Sequence, residues 1–264
     1  MSSAPKKSGF RENIIAQILW GTGGPAISLV SQAVPSPLLV GIRHGIGAMT
    51  LGIALAKRSG THAFDAFPWL AIIGLAFIGT VIPDLLLTES VKRSGPIVAI
   101  LLARLEIPLG VLMAHILLKE RVAKRAYIAS FLAFFGCILI SYRPDIAFSL
   151  SSDFYIGVLC GLGAGIAWTF GSIYSKAIAM RHASSLAITF ARLLIGSIAT
   201  LLIFFTLFPN PIDIITSIDS KSWITMIYLG VFVSAGAYLA YFISLKYIAA
   251  HTAQIMIGVT IIVA

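Results

Sequence analysis

Eight apolar stretches of about 20 residues, the length a helix needs to span the hydrocarbon of a bilayer, follow one another along this chain with little between them. They lie near residues 13–31, 38–56, 67–88, 95–118, 124–142, 155–178, 184–207 and 221–244, and a ninth begins near 250. Inside lipid every backbone N–H and C=O must be bonded within the protein, so these segments are expected to be helices. The longest connections, 143–154 and 208–220, hold about a dozen residues each, which leaves no room for a soluble domain. Any function must therefore be built among the helices.

Composition agrees. Hydrophobic residues make up 58% of the 264, charged residues 11%, and the mean hydropathy is +0.97, whereas about a quarter of a soluble domain is charged. The net charge of +9 does not point to nucleic acid, because the basic residues come in short clusters between apolar runs without interleaved aromatics. They read instead as topology signals. With the N-terminus in the cytoplasm, Lys6, Lys7, Arg11, Lys57, Arg58, Lys119, Arg121, Lys124, Arg125, Lys176, Arg181 and Lys246 fall inside. Lys92, Arg93, Arg143 and Lys221 fall outside. Twelve against four satisfies the positive-inside rule, and the expected location is the cytoplasmic (inner) membrane, with the lipid bilayer and a small-molecule substrate as partners. The basic start and the apolar run after it could also read as a signal peptide, but the run is long and is echoed later in the chain, so a first spanning helix is expected.

That echo is an internal repeat. "WGTGGPAISLVSQAVPSPLLVGIRHGIGAMTL" from Trp20 aligns with "WTFGSIYSKAIAMRHASSLAITFARLLIGSIATL" from Trp168, with Trp-to-Arg spacings of 23 and 24 to Arg43 and Arg192. Trp69 and Trp223 each open an apolar segment, and Ser90 and Ser244 begin similar stretches, both pairs 154 residues apart. The chain is thus expected to be an all-α polytopic membrane protein of two five-helix halves, residues 1–148 and 149–264. Five being odd, the second half enters the membrane from the opposite face, as in the inverted repeats of secondary carriers. The same offset places the end of the ninth helix near 272 and a tenth at about 278–296, so the second half is expected to be cut short.

These residues resemble the EamA-type transporters of the drug/metabolite transporter superfamily. The likeness rests on Trp20-Gly21, on Pro37 before a helix carrying Arg43, and on "SVKRSGPIVAILL" leading to Glu106 and Pro108. It closes on "LLKER" (Leu117–Arg121), where Lys119 replaces the glycine of the family's Gly-Glu pair. The resemblance implies a ten-helix carrier, helices 1–4 and 6–9 enclosing a central cavity, that moves amino acids or other small metabolites by alternating access. Two departures stand out: no lysine follows Trp20-Gly21 in the first helix, and Thr260 occupies the second copy's Glu-x-Pro place.

Three arginines, Arg43, Arg104 and Arg192, lie within apolar segments, where a guanidinium costs roughly 2.5–3.5 kcal/mol on insertion scales and points into the protein or a wet cavity. Arg43, about 9 Å of helix rise from the outer end of helix 2, and Arg192, about 12 Å from the inner end of helix 7, are expected near opposite mouths of one cavity. There they either fix helix packing or attract a substrate carboxylate or phosphate. Trp20, Trp168 and Tyr238, with Tyr174 and Tyr241, are candidates for its walls. "GTGGP", which holds Gly23 and Gly24, is either an unwound segment facing substrate or a plain kink. Glu106, two residues before Pro108, is a candidate proton-coupling group or else a structural carboxylate bonded to an amide or hydroxyl. Asp84, the second such candidate, is expected to pair with Arg43 or Arg104 rather than titrate. Gly157, Gly161 and Gly165 recur every four residues, a face for a neighbouring helix or for a homodimer.

Cys137 and Cys160, and likewise His44, His115 and His251, lack the spacing of metal ligands, so no metal or cofactor is expected. A membrane-embedded enzyme would need a nucleophile and base or a metal set, yet neither His-Glu-x-x-His nor Gly-x-Ser-x-Gly occurs. The function that the resemblance implies is carriage of an amino acid or related zwitterion or anion. The alternatives are a nucleoside-like metabolite or a drug as cargo, or a shortened, inactive carrier.

Overall fold

Two helices that occupy matching places in the repeat, Ser36–Arg58 and Ser185–Leu207, are both 23 residues long, and each carries its arginine at the eighth position. They belong to a computed structural model that describes residues 4–58, 64, 67–141, 151–181 and 184–263. In chain order the helices are α1 (Ala4–Gly21, resuming as Gly23–Val30), α2 (Ser36–Arg58), α3 (Trp69–Ser94), α4 (Pro96–Leu118, interrupted at Arg104 and Leu105) and α5 (Lys124–Ser141). The second half supplies α6 (Ser152–Ala179), α7 (Ser185–Leu207), α8 (Ser220–Ser244) and α9 (Ala250–Val263), with a short connecting helix, Pro211–Thr216, before α8. No strand occurs among the described residues. Helices α2, α3, α4, α6, α7 and α8 are each long and apolar enough to cross a membrane. The expected boundary between residues 148 and 149 lies outside the described residues.

Helix ends follow local chemistry. Ser151, Ser184 and Asp219 cap α6, α7 and α8, accepting from the amides of Phe154 (3.2 Å), Ala187 (3.1 Å) and Ser222 (2.6 Å), each satisfying a donor that the first turn leaves free. Gly95, at φ 83°, ends α3 in a conformation costly for a side chain, and Pro96 starts α4. Lys119 ends α4 at φ 54°, left-handed backbone that explains why glycine suits this place. Glu120 beside it accepts from the amides of Ala250 (2.8 Å) and His251 (3.2 Å), thereby capping α9.

The inversion is visible in the packing of equivalent helices. Helix α2 meets α7 through Gly41 on Leu201, Gly45 on Ser197 and Gly52 on Phe190, so one index rises as the other falls and the two run antiparallel. A single offset of 149 residues turns the Gly41–Leu201 contact into the Gly52–Phe190 contact. Helices α4 and α9 are likewise antiparallel, with Ile107 beside Gly258 and Gly110 against Gln254. Two copies of one helical pattern, α1–α4 and α6–α9, thus face each other across a pseudo-two-fold axis, and large apolar side chains such as Leu70, Leu139 and Leu207 stay exposed on the outside, as a lipid solvent requires.

The glycine face of α6 is used within the chain. A Cβ at Gly157 would fall 2.9 Å from Arg93 and Ser94, at Gly161 2.8 Å from Ser90, and at Gly165 2.7 Å from the Ala103 carbonyl. The stripe seats α3 and α4 by close backbone approach. Of the two uses expected for Gly157, Gly161 and Gly165, a neighbouring helix or a homodimer, the described residues show the first.

Candidate functional site: a polar cavity between the repeats

Pro83 has no N–H, so the carbonyl of Gly79 one turn earlier loses its α-helical donor, and the helix widens into a π turn over Phe77–Val81. A second π segment, Leu229–Ala237, occupies the matching part of α8. Arg192 of α7 takes up the freed carbonyl: its Nη2 donates to Gly79 O at 2.6 Å, and Nε and Nη2 donate to Thr80 Oγ1 at 2.9 and 2.7 Å. The π turn and the arginine thus satisfy each other. Such turns cluster at functional sites in other helices.

Directly after the π turn, Asp84 gathers three partners. Its Oδ2 lies 2.8 Å from Arg43 Nη2 and 2.8 Å from His44 Nε2, and the Tyr238 hydroxyl donates to Oδ1 and Oδ2 at 3.3 and 3.2 Å. Arg192 lies over the Tyr238 ring, its guanidinium carbon 4.5 Å from the centroid, a cation–π arrangement strengthened by removal from water. Trp20 holds the ring from another side, 5.3 Å from Tyr238 and 5.0 Å from Tyr241. Farther along, Arg104 Nη1 stands 3.1 Å from Glu106 Oε1 and donates to Thr260 Oγ1 at 3.0 Å.

These groups, His44 and Thr80 excepted, line one cavity of about 90 Å³, roomy enough for several waters or a small polar ligand. Trp20, Gly23, Gly24, Arg43, Asp84, Glu106, Trp168, Arg192 and Tyr238, nine residues scattered over the sequence, all reach it. Arg43 and Arg192 do not stand at opposite mouths. Both sit within about four residues of the axis relating α2 to α7, about 5 Å of rise, and their long side chains reach the same Asp84–Tyr238 pair. Of the two expected partners for Asp84 the structure selects Arg43. Glu106 pairs with Arg104 rather than with an amide or hydroxyl. At "GTGGP" the backbone of Thr22 stays right-handed helical, so this is a kink and not an unwound segment; the Tyr228 hydroxyl braces it, donating to Thr22 Oγ1 at 2.7 Å.

Thr80, Ser172, Ser175 and Ser234 carry no distinguishing signal in the sequence. Thr80 is an arginine ligand and the three serines line the cavity, but a hydroxyl inside an apolar run commonly bonds its own helix and so carries little signal. Tyr174 packs against Gly74 and is not among the lining residues.

The sequence model of the EamA-like transporter family matches residues 13–142 and again 155–264. Over 172 residues the chain is 23% identical to the uncharacterized inner membrane transporter YhbE of Escherichia coli K12, covering 63% of this chain and 53% of that protein. YhbE of Shigella flexneri matches to the same extent. The chain thus spans about half the length of the curated relatives it matches. A solved crystal structure superposes with a TM-score of 0.80 at 20% identity, covering all of this chain and 86% of the other, a likeness of fold.

Proposed function

The chain belongs to the EamA-like transporter family, and from that membership we propose that it is a secondary carrier moving a small carboxylate-bearing metabolite, an amino acid or related zwitterion or anion, by alternating access. The observation that carries this reading is the cavity itself. Two antiparallel repeats enclose a polar chamber in an otherwise apolar bundle and place in it three guanidiniums, two carboxylates and the indoles of Trp20 and Trp168. Ionisable groups inside a membrane protein mark a pathway for polar cargo, a site at the interface of inverted repeats can open to either side as one repeat rocks against the other, and planar guanidinium forks match carboxylates. Glu106 is assigned the coupling of proton movement to transport, and Arg43, Arg192, Trp20, Gly23, Gly24, Trp168 and Tyr238 the substrate. The N-terminus is assigned to the cytoplasm of the inner membrane.

The decisive experiment is uptake of labelled amino acids, small carboxylates and nucleosides by proteoliposomes containing the purified protein. Saturable counterflow of a carboxylate is expected, and transport confined to nucleosides or cationic drugs would overturn the substrate class. Orientation is tested by cysteines at Ser59, which lies outside the described residues, and at Ser151, in a background lacking Cys137 and Cys160. Labelling from the cytoplasmic side at Ser59 and from outside at Ser151 is expected; the reverse pattern would overturn the topology.

A further inference from the structure

The two repeats give their arginines unequal partners. Arg43 and Arg192 stand at the same position of equivalent helices, and Asp84 and Tyr238, 154 residues apart, stand at the same position of α3 and α8. In the first repeat the guanidinium meets a carboxylate at 2.8 Å. In the second the equivalent guanidinium meets the face of a phenol ring. The four side chains form one pseudo-symmetric set from which a single carboxylate is missing.

Among the described residues nothing else supplies that carboxylate. Among the described residues no carboxylate oxygen lies within 4.0 Å of Arg192. Its bonds go to the neutral oxygens of Gly79 and Thr80 from Nε and Nη2, while Nη1 makes none. Asp84 is committed to Arg43, His44 and Tyr238, and Glu106 to Arg104. Arg192 is only 2% exposed and cannot shed its charge. With both carboxylates ionised, three guanidiniums against two leave the chamber with one positive charge, and an unmatched charge in a low-dielectric site is costly until a counter-ion arrives.

We propose that Arg192 is the carboxylate-binding residue of a monoanion-selective site, and that Tyr238 sets the selectivity by withholding the acid that its repeat partner Asp84 provides to Arg43. This rests on the carrier reading of the same cavity and narrows it: a ligand with one net negative charge neutralises the chamber, a zwitterion leaves the excess charge in place, and an amine adds to it. Tyr238 carries an apolar ring over the guanidinium and keeps its hydroxyl for Asp84, so it neutralises nothing itself.

The test is binding of acetate, with neutral acetamide as its isostere, to the purified protein in detergent, followed by the fluorescence of Trp20 and Trp168 in a background with Trp69→Phe and Trp223→Phe. Saturable acetate binding with little response to acetamide is expected. Tyr238→Asp, which supplies the missing acid, should bind acetate at least about tenfold more weakly than Tyr238→Asn, of the same shape without the charge. Equal acetate binding in Tyr238→Asp and Tyr238→Asn would overturn the proposal. Should the Tyr238 variants fail to fold, the unmodified protein decides. Acetate but not acetamide should protect Arg192 from phenylglyoxal, read by peptide mass, and equal protection by both would overturn the site. None of these readouts uses transport. Acetate binding without uptake of any carboxylate would sink the carrier reading and leave the site, while carboxylate uptake without acetate protection of Arg192 would do the opposite.

Discussion

The hydroxyl of Tyr238 donates to the carboxylate of Asp84 at 3.2 and 3.3 Å across 154 residues of sequence, the same spacing at which Trp69 recurs as Trp223 and Ser90 as Ser244. The two residues are counterparts in the repeat, and a contact between counterparts lies on the pseudo-two-fold axis. On the carrier reading proposed above, an exchange of conformations between the two halves would pivot at this pair.

Asp84→Asn leaves the Arg43 guanidinium buried without its counter-ion, and a cost of about 3–5 kcal/mol is expected. Tyr238→Phe removes one hydrogen bond while Arg43 and His44 still hold Asp84, with a cost of about 1 kcal/mol. Thermal unfolding in detergent, read by the surviving monodisperse fraction, should rank wild type above Tyr238→Phe and both well above Asp84→Asn. Equal melting of the two variants would mean that Arg43 does not depend on Asp84.

Gly171 packs on Gly79, where an added Cβ would lie 2.4 Å from the Gly79 Cα, whereas nothing lies within 4 Å of a Cβ at Gly136. Gly171→Ala is therefore expected to cost about 1–3 kcal/mol by overpacking. Gly136→Ala should be neutral or stabilise by up to about 1 kcal/mol through helix propensity. The same melting assay separates them, and a neutral Gly171→Ala would show that α3 and α6 can part at no cost.

Lys119 holds a left-handed conformation at the end of α4, which costs a side chain about 1–2 kcal/mol, partly offset by the greater chain entropy that glycine loses on folding. Lys119→Gly should raise the melting temperature slightly without altering transport. Destabilisation would show that the lysine side chain contributes more than its backbone strain costs.

At the start of α8, bonds from the backbone and side chain of Ser222 hold the Asp219 carboxyl below its usual range. A lowered folded-state value contributes stability that is present above the unfolded value, about pH 4, and is lost as pH falls through the folded one. The melting difference between wild type and Asp219→Asn should accordingly be full at pH 6–7 (roughly two or more units above that value) and shrink below about pH 4. A difference that stays constant down to pH 3 (roughly one unit below that value) would mean that the cap does not depend on the charge.

Glu106→Gln keeps the Arg104–Thr260 bond while removing the ionisable carboxyl. If Glu106 couples protons, the variant in proteoliposomes should retain counterflow of a carboxylate substrate and lose accumulation driven by a pH gradient. Unchanged gradient-driven accumulation would remove Glu106 from that role.

The helices were legible in the sequence because their determinant is local: apolar runs of spanning length. The duplication showed in paired Trp and Arg positions, and inversion followed from the odd number of helices in each half. That Arg43, Asp84, Arg104, Glu106 and Arg192 face inward also follows from sequence, since lipid rejects charge wherever the chain happens to cross. What sequence could not supply was pairing. Helix rise measured from each helix end put Arg43 and Arg192 at separate mouths; the antiparallel crossing of α2 and α7 near their middles, set by Gly41, Gly45 and Gly52, brings both to one place. Choosing Arg43 over Arg104 for Asp84, and seating Arg192 on the carbonyl that Pro83 frees, depended on where α3 widens into its π turn. Those are distances between segments remote in the chain, and no local preference encodes them; only the packed bundle, with two repeats closing on one axis, decides which buried charge meets which.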